Sequence, residues 1–216
     1  MRLRNIPRAD GVIDVHHTVI KKPEEQKGNW NHVFGNEKPI QIEIGMGKGQ
    51  FILNMAKAHP EINFIGIERY SSVLLRALEK YDTEEFEMLE NIRFICLKLY
   101  SSAFHKHFFV SCEEFRRCQS TLRMSCLRPR IREVQEDLIH LCRCKHIFNL
   151  SCIHTDNTEL FNFSLEQVKE AGWALIAYTY DLHHQEEMNE GNIMTEYEQK
   201  FSEKGNPINK LIAQRK

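Results

Sequence analysis

Glycine is missing from the middle of this chain. None of the 10 glycines in the 216 residues lies between Leu97 and His154, and Pro129 is the single proline there. A domain joined by short loops uses turn-forming residues more often than that. Cysteine shows the converse bias, because all 7 fall from Cys96 to Cys152 and the flanks have none. Charge of one sign is also absent. The 29 Lys and Arg balance 30 Asp and Glu, for a net charge of -1. That excludes a wholesale polycation and confines any nucleic-acid contact to a local basic patch. No apolar run approaches the ~18 residues of a membrane-spanning helix, and no early stretch has the layout of a signal peptide. A soluble, cytoplasmic protein is therefore expected. An odd cysteine count without a secretory signal favours reduced thiols over a disulfide frame.

What is present has ordinary proportions for one globular domain, with 42% hydrophobic and 27% charged residues. We read 1–216 as a single domain in four stretches. An N-terminal arm spans 1–38, polar and basic with at most a short helix. A cofactor-binding half spans 39–96. An atypical segment spans 97–154, and a substrate-facing C-terminal part spans 155–216. In the second stretch, Pro39 to Ile44 alternates at period two and predicts a strand. Gln50 to His59 predicts a helix, Ile62 to Ile67 a strand, Ser71 to Tyr81 a helix and Asn91 to Cys96 a third strand. Strand and helix in alternation imply parallel strands with right-handed crossovers. After His154 the same kind of text returns. A helix is predicted from Glu159 to Glu170, a strand from Trp173 to Tyr180, a helix start from Met194 to Glu198 and a last strand from Ile208 to Ala213.

Between the first strand and first helix of that half stands Glu43-Ile-Gly-Met-Gly-Lys-Gly49. Gly45, Gly47 and Gly49 let the backbone turn tightly and approach a ligand, with helix N-terminal amides facing it. Glu68 closes the next strand, where a carboxylate accepts hydrogen bonds from a ribose diol. A dinucleotide site prefers G-x-G-x-x-G. This loop is G-x-G-x-G behind an acid, which suits a cationic ligand without pyrophosphate and points to S-adenosylmethionine. The competing reading is a glycine turn with surface acids.

The residues that carry these features resemble the bacterial tRNA (guanine-N7)-methyltransferase family. The match is close in Met1 to Asn5, in Lys27 to Gly35, in Glu43 to Phe51 and in Ile65 to Glu68. It resumes at Thr155-Asp-Asn157 and at Glu190-Gly-Asn-Ile-Met-Thr-Glu-Tyr-Glu-Gln-Lys-Phe201. The resemblance implies a class I methyltransferase fold: α/β, Rossmann-like, a mostly parallel sheet with helices on both faces. It implies methyl transfer from S-adenosylmethionine to N7 of a guanine in the tRNA variable loop, with tRNA as the partner and no membrane or stable protein partner. By resemblance, Glu43, Gly45, Gly47, Gly49 and Glu68 hold the methyl donor. Asp156, Thr195, Glu196, Tyr197 and Glu198 face the substrate. Helix capping is the plainer role for Asp156, and for Thr195 with Glu198 three residues on.

The family also carries a carboxylate after its third strand and a motif N-F-S-D-P-W-P-K followed by R-H-x-K-R-R-L-T, whose aspartate is held to be catalytic. Neither stands in this chain, so no catalytic residue is assigned. Both strands of the coding DNA bear on this. Reading codons from Gln135 back to Cys118 and reverse-complementing each permits L-N-F-S-D-P-W-P-K-T-R-H-A-K-R-R-L-T. Gln135, Met124 and Gln119 allow no choice, and the outcome requires ATC at Ile131 and CCA at Pro129. An inverted coding segment over 97–154 is the expectation, and such text was not selected to pack. Cysteine enrichment follows, since codons for Ala and Thr reverse-complement to codons for Cys. Cys142, Cys144, Cys152, His146 and His154 raise the alternative of a zinc-dependent nucleic-acid module, but C-x-C without a second pair is not a structural zinc pattern, and no metal is expected. A donor-binding but inactive remnant is the other alternative.

Overall fold

Residues Ile40, Ile42 and Ile44 put three β-branched side chains on one side of a strand, with Gln41 and Glu43 on the other. That strand, β1 (Ile40–Ile44), lies inside a sheet. The computed structural model describes residues 6–26, 29–96, 121–125 and 150–214, with the backbone alone at 24, 121–125, 150, 151 and 197. Among the described residues the strands form one 7-stranded sheet in the order β3-β2-β1-β4-β5-β7-β6. β2 is Asn63–Glu68, β3 Ile92–Cys96, β4 Thr121–Ser125 and β5 Leu150–Thr155. These join β1 in a run of parallel pairs, with Ile42 opposite Ile65 on one side and Leu122 on the other. β6 (Ala174–Thr179) and β7 (Asn209–Gln214) close the far side, β7 running antiparallel between β5 and β6. The mostly parallel sheet expected from the sequence is therefore present, and its last strand is antiparallel.

Helices cover both faces. α1 (Ala9–Val15), α3 (Gln50–Ala58) and α4 (Ser71–Tyr81) pack one face, with Ile13, Ile52, Leu74 and Leu78 against Phe64, Ile92 and Phe94. α2 (Trp30–Phe34) and α5 (Thr158–Glu170) pack the other, with Trp30, Phe34 and Phe161 against Ile42, Ile65 and Ile153. Trp30 and Phe161 are wholly buried. Gly66 makes the first of these packings possible. A Cβ there would run into the Met46 sulfur and come within 3.2 Å of Ile52 Cδ1.

Three differences from the sequence reading have physical causes. The N-terminal stretch is more than an arm, because α1 buries Ala9 and Ile13 and the chain then pairs alongside β3. The Phe94 amide donates to the Thr18 carbonyl and the Ile20 amide to the Phe94 carbonyl, both at 2.9 Å. Glycine-poor text hid β4 and most of β5, yet both lie at the centre of the sheet. The open hydrogen-bonding edges of β1 and β7 can be satisfied by any extended backbone between them, whatever its side chains. Thirdly, the last strand is shifted by one residue from the Ile208 to Ala213 expected. Among the described residues no helix is long and apolar enough to cross a membrane.

Candidate active site

The loop between β1 and α3 is built by backbone conformations that side chains resist. Gly45, Gly47 and Gly49 have φ of 71°, 61° and 76°. At Gly49 a Cβ would also stand 2.9 Å from the Ala77 Cβ of α4. The loop therefore folds back toward the end of β2, where Glu68 receives it. The Gly47 amide donates to Glu68 Oε2 at 3.1 Å, and the Arg69 and Tyr70 amides donate to Oε1 at 2.8 Å and 3.0 Å. Burial pushes the Glu68 carboxyl above the usual carboxylate range, against the pull of those three amides and of Arg69. Glu43, on β1, is 3% exposed.

A cavity of about 230 Å³ lies beside Glu43 on the α3 side of the sheet. Its lining joins Phe51 and Met55 of α3, Cys152 and His154 of β5, Lys210 of β7 and the stretch from Glu190 to Ile193. The two acids and the glycine loop fit a donor that is cationic and carries a ribose. The Glu43 carboxylate on this lining disfavours an anionic group such as a pyrophosphate. Glu68 still has an oxygen lone pair to offer beyond its three amide partners.

The excursion between β6 and β7 reaches back over this site. It includes α6 (Glu186–Asn189) and α7 (Glu196–Ser202). Thr195 caps α7, its Oγ1 accepting from the Glu198 amide at 2.9 Å. Glu198 is the third residue of α7. Its side chain turns into the protein at 1% exposure and accepts from Asn192 Nδ2 at 2.7 Å. His183 Nε2 stands 3.5 Å from Glu198 Oε1, and His154 Nδ1 stands 3.7 Å from Oε2.

Glu196, two residues earlier, points the other way. Its Oε1 accepts from Lys80 Nζ at 2.7 Å, and Lys48 Nζ lies 3.4 Å from Oε2. Burial raises its carboxyl, but Lys80 and Lys48 outweigh that and hold it below the usual range. The Tyr197 side chain lies outside the described residues. Asp156 follows β5 and is half-buried, but it is not the helix cap. Asn157 is, with Oδ1 accepting from the Leu160 amide at 2.9 Å.

The predicted acids and glycines thus gather at one end of the sheet, with Thr195 and Glu198 above them and Glu196 on the far side of the same turn. Asn192 stood in the Glu190 to Phe201 stretch without a role of its own, and Lys210 gave no local signal. It met Cys152 and His154 only as zinc candidates. They touch each other, His154 Nε2 to Cys152 Sγ at 3.2 Å. Among the described residues no three His, Cys, Asp or Glu side chains are grouped to hold a metal. Cys142, Cys144 and His146 lie outside the described residues. So do residues 127–134, whose reversed codons permit N-F-S-D-P-W-P-K.

Residues 37–110 match the family described as "Putative methyltransferase". The tRNA (guanine-N(7)-)-methyltransferase of Lachnoclostridium phytofermentans is 46% identical over 219 residues, covering 99% of this chain and 98% of that one. The protein of the same name from Lysinibacillus sphaericus is 42% identical over 221 residues, with 99% and 98% covered. Among solved structures, the 16S rRNA methyltransferase KamB matches with a TM-score of 0.57 at 12% identity, over 86% of this chain and 92% of that one. An antibiotic-related methyltransferase matches with a TM-score of 0.56 at 13% identity, over 85% and 90%. These two likenesses establish the class I methyltransferase fold.

Proposed function

The chain belongs to the bacterial tRNA (guanine-N7)-methyltransferase family, and on that premise we propose that it transfers a methyl group from S-adenosylmethionine to N7 of a guanine in tRNA. The observation that supports this reading best is a cavity lined by Glu43 and by Glu190 to Ile193 of the excursion, beside a glycine loop that Glu68 holds through the Gly47 amide. The donor supplies an electrophilic methyl on a sulfonium, and the chain supplies position and charge.

Guanine N7 presents a lone pair, so no strong base is needed to expose it. The work left to the protein is alignment and stabilisation of the charge that develops on the base. Glu68 holds the ribose and fixes the loop at Gly47. Glu43 places negative charge beside the cationic end of the donor. Glu198, held by Asn192, presents a buried carboxylate on the substrate side, where it offsets positive charge on the methylated base. Asp156 and Thr195 border the same side. The excursion keeps water from the methyl.

The test is transfer of labelled methyl from S-adenosylmethionine to tRNA lacking N7-methylguanine. Label recovered as N7-methylguanine is expected. Donor binding without any transfer to tRNA would overturn the activity and leave the remnant reading in its place.

A further inference from the structure

We propose that Glu196 is a positioning residue: with Lys48 and Lys80 it clasps the guanine-side excursion onto the cofactor loop, so that donor binding and closure of the excursion are coupled. The proposal rests on the function proposed above and assigns Glu196 a role other than contact with substrate.

The geometry separates the two acids of one helical turn. Glu198 is 1% exposed and faces inward, whereas the Glu196 side chain is 41% exposed and faces the loop. Two cations from different elements meet its carboxylate. Lys48 stands between Gly47 and Gly49, inside the loop that receives the donor. Lys80 comes from the last turn of α4 and also donates to Gln50 Oε1 at 2.8 Å, at the first residue of α3. The cofactor loop, α3, α4 and α7 are thereby tied at one carboxylate.

The strength of the joint suits a moving part. Lys48 and Lys80 side chains are 57% and 23% exposed. Pairs of this kind are weak and salt-screened, so they reinforce a closed state without locking it. A donor that orders the loop fixes Lys48, and a fixed Lys48 holds Glu196. Closure then orders Thr195 and Glu198 for the base.

The experiment uses the full chain, S-adenosylhomocysteine as a non-reacting probe, and trypsin cleavage at Lys200 of α7. In the unsubstituted protein the probe is expected to slow cleavage about threefold, the size of effect that one partly exposed ion pair supplies. Glu196→Gln and Lys80→Met should lose that protection while still binding the probe by calorimetry. Raising KCl from about 50 mM to about 500 mM should erase protection in the unsubstituted protein and leave Glu196→Gln unchanged. A merely structural role for Glu196 speeds cleavage equally with and without probe, and an unchanged protection ratio would overturn the clasp. Failure of the unsubstituted protein to bind the probe at all would overturn the donor site, and the clasp with it.

Discussion

Glu68 carries two opposed dependences on pH. Burial raises its carboxyl, so the folded chain binds a proton that the unfolded chain has already released over part of the acid range. Its contribution to stability is therefore fullest below its unfolded pKa and is lost as pH rises through the folded value. On the proposed function, donor binding needs the ionised form to accept from a ribose diol, and that form is gained over the same interval. Calorimetric affinity for S-adenosylhomocysteine should rise from about pH 5 to about pH 7.5, with Glu68→Gln weak and flat. The stability of Glu68→Gln relative to the parent, from urea melts, should improve over the same rise. Gly49→Ala tests the loop. At φ 76° with Ala77 Cβ 2.9 Å from the new methyl, it should cost about 1–2 kcal/mol and lower the melting temperature by several degrees, read by calorimetry. These residues were legible in the sequence because an acid, three glycines and a second acid are close neighbours along the chain. The split between Glu196 and Glu198 was not, because it depends on Lys48 and Lys80, which are remote in sequence and near only in the fold.

Elements rest on their ends. α5 begins at the Asn157 cap and α7 at the Thr195 cap. Asn157→Ala removes the bond to the Leu160 amide and should destabilise the protein by about 1 kcal/mol, seen as a fall of roughly 2–4 °C in the melting temperature with donor affinity unchanged. Thr195→Ala removes an equivalent bond beneath the proposed guanine side. It should raise KM for tRNA several-fold and leave binding of S-adenosylhomocysteine within twofold, which steady-state kinetics and calorimetry separate. Alternation and glycine punctuation made β1, β2, β3 and the helices between them readable along the chain. β4 and β5 were unreadable for the opposite reason. Leu97 to His154 has no glycine to mark turns, and sheet pairing there is imposed by the neighbours of each strand and not by its own pattern.

At the scale of the whole molecule, the family text and the atypical segment make a joint prediction. The gene should read ATC at Ile131 and CCA at Pro129, and sequencing decides it. Any other codon at either place removes the inverted segment from consideration. Re-inverting codons 97–154 restores the motif aspartate and should raise methyl transfer at least about tenfold over the present chain, in the range expected for a group that acts in the transition state. Equal transfer by both would mean that the segment is dispensable or rebuilt. The fold class was legible from the flanks alone, since the cofactor half and the return at Thr155 already imply an alternating α/β sheet. The placement of β7 carries a consequence for synthesis on the ribosome. Among the described residues β6 pairs only with β7, and β7 is inserted between β5 and β6 although it is made after both. The nascent chain must therefore carry β6 without a strand partner until β7 has left the exit tunnel, with Leu175, Ile176 and Tyr178 as exposed then as they remain in the finished fold. In that interval β6 is an open strand in search of an edge, the kind of surface a holding chaperone covers, before the last strand slides in and ends the wait.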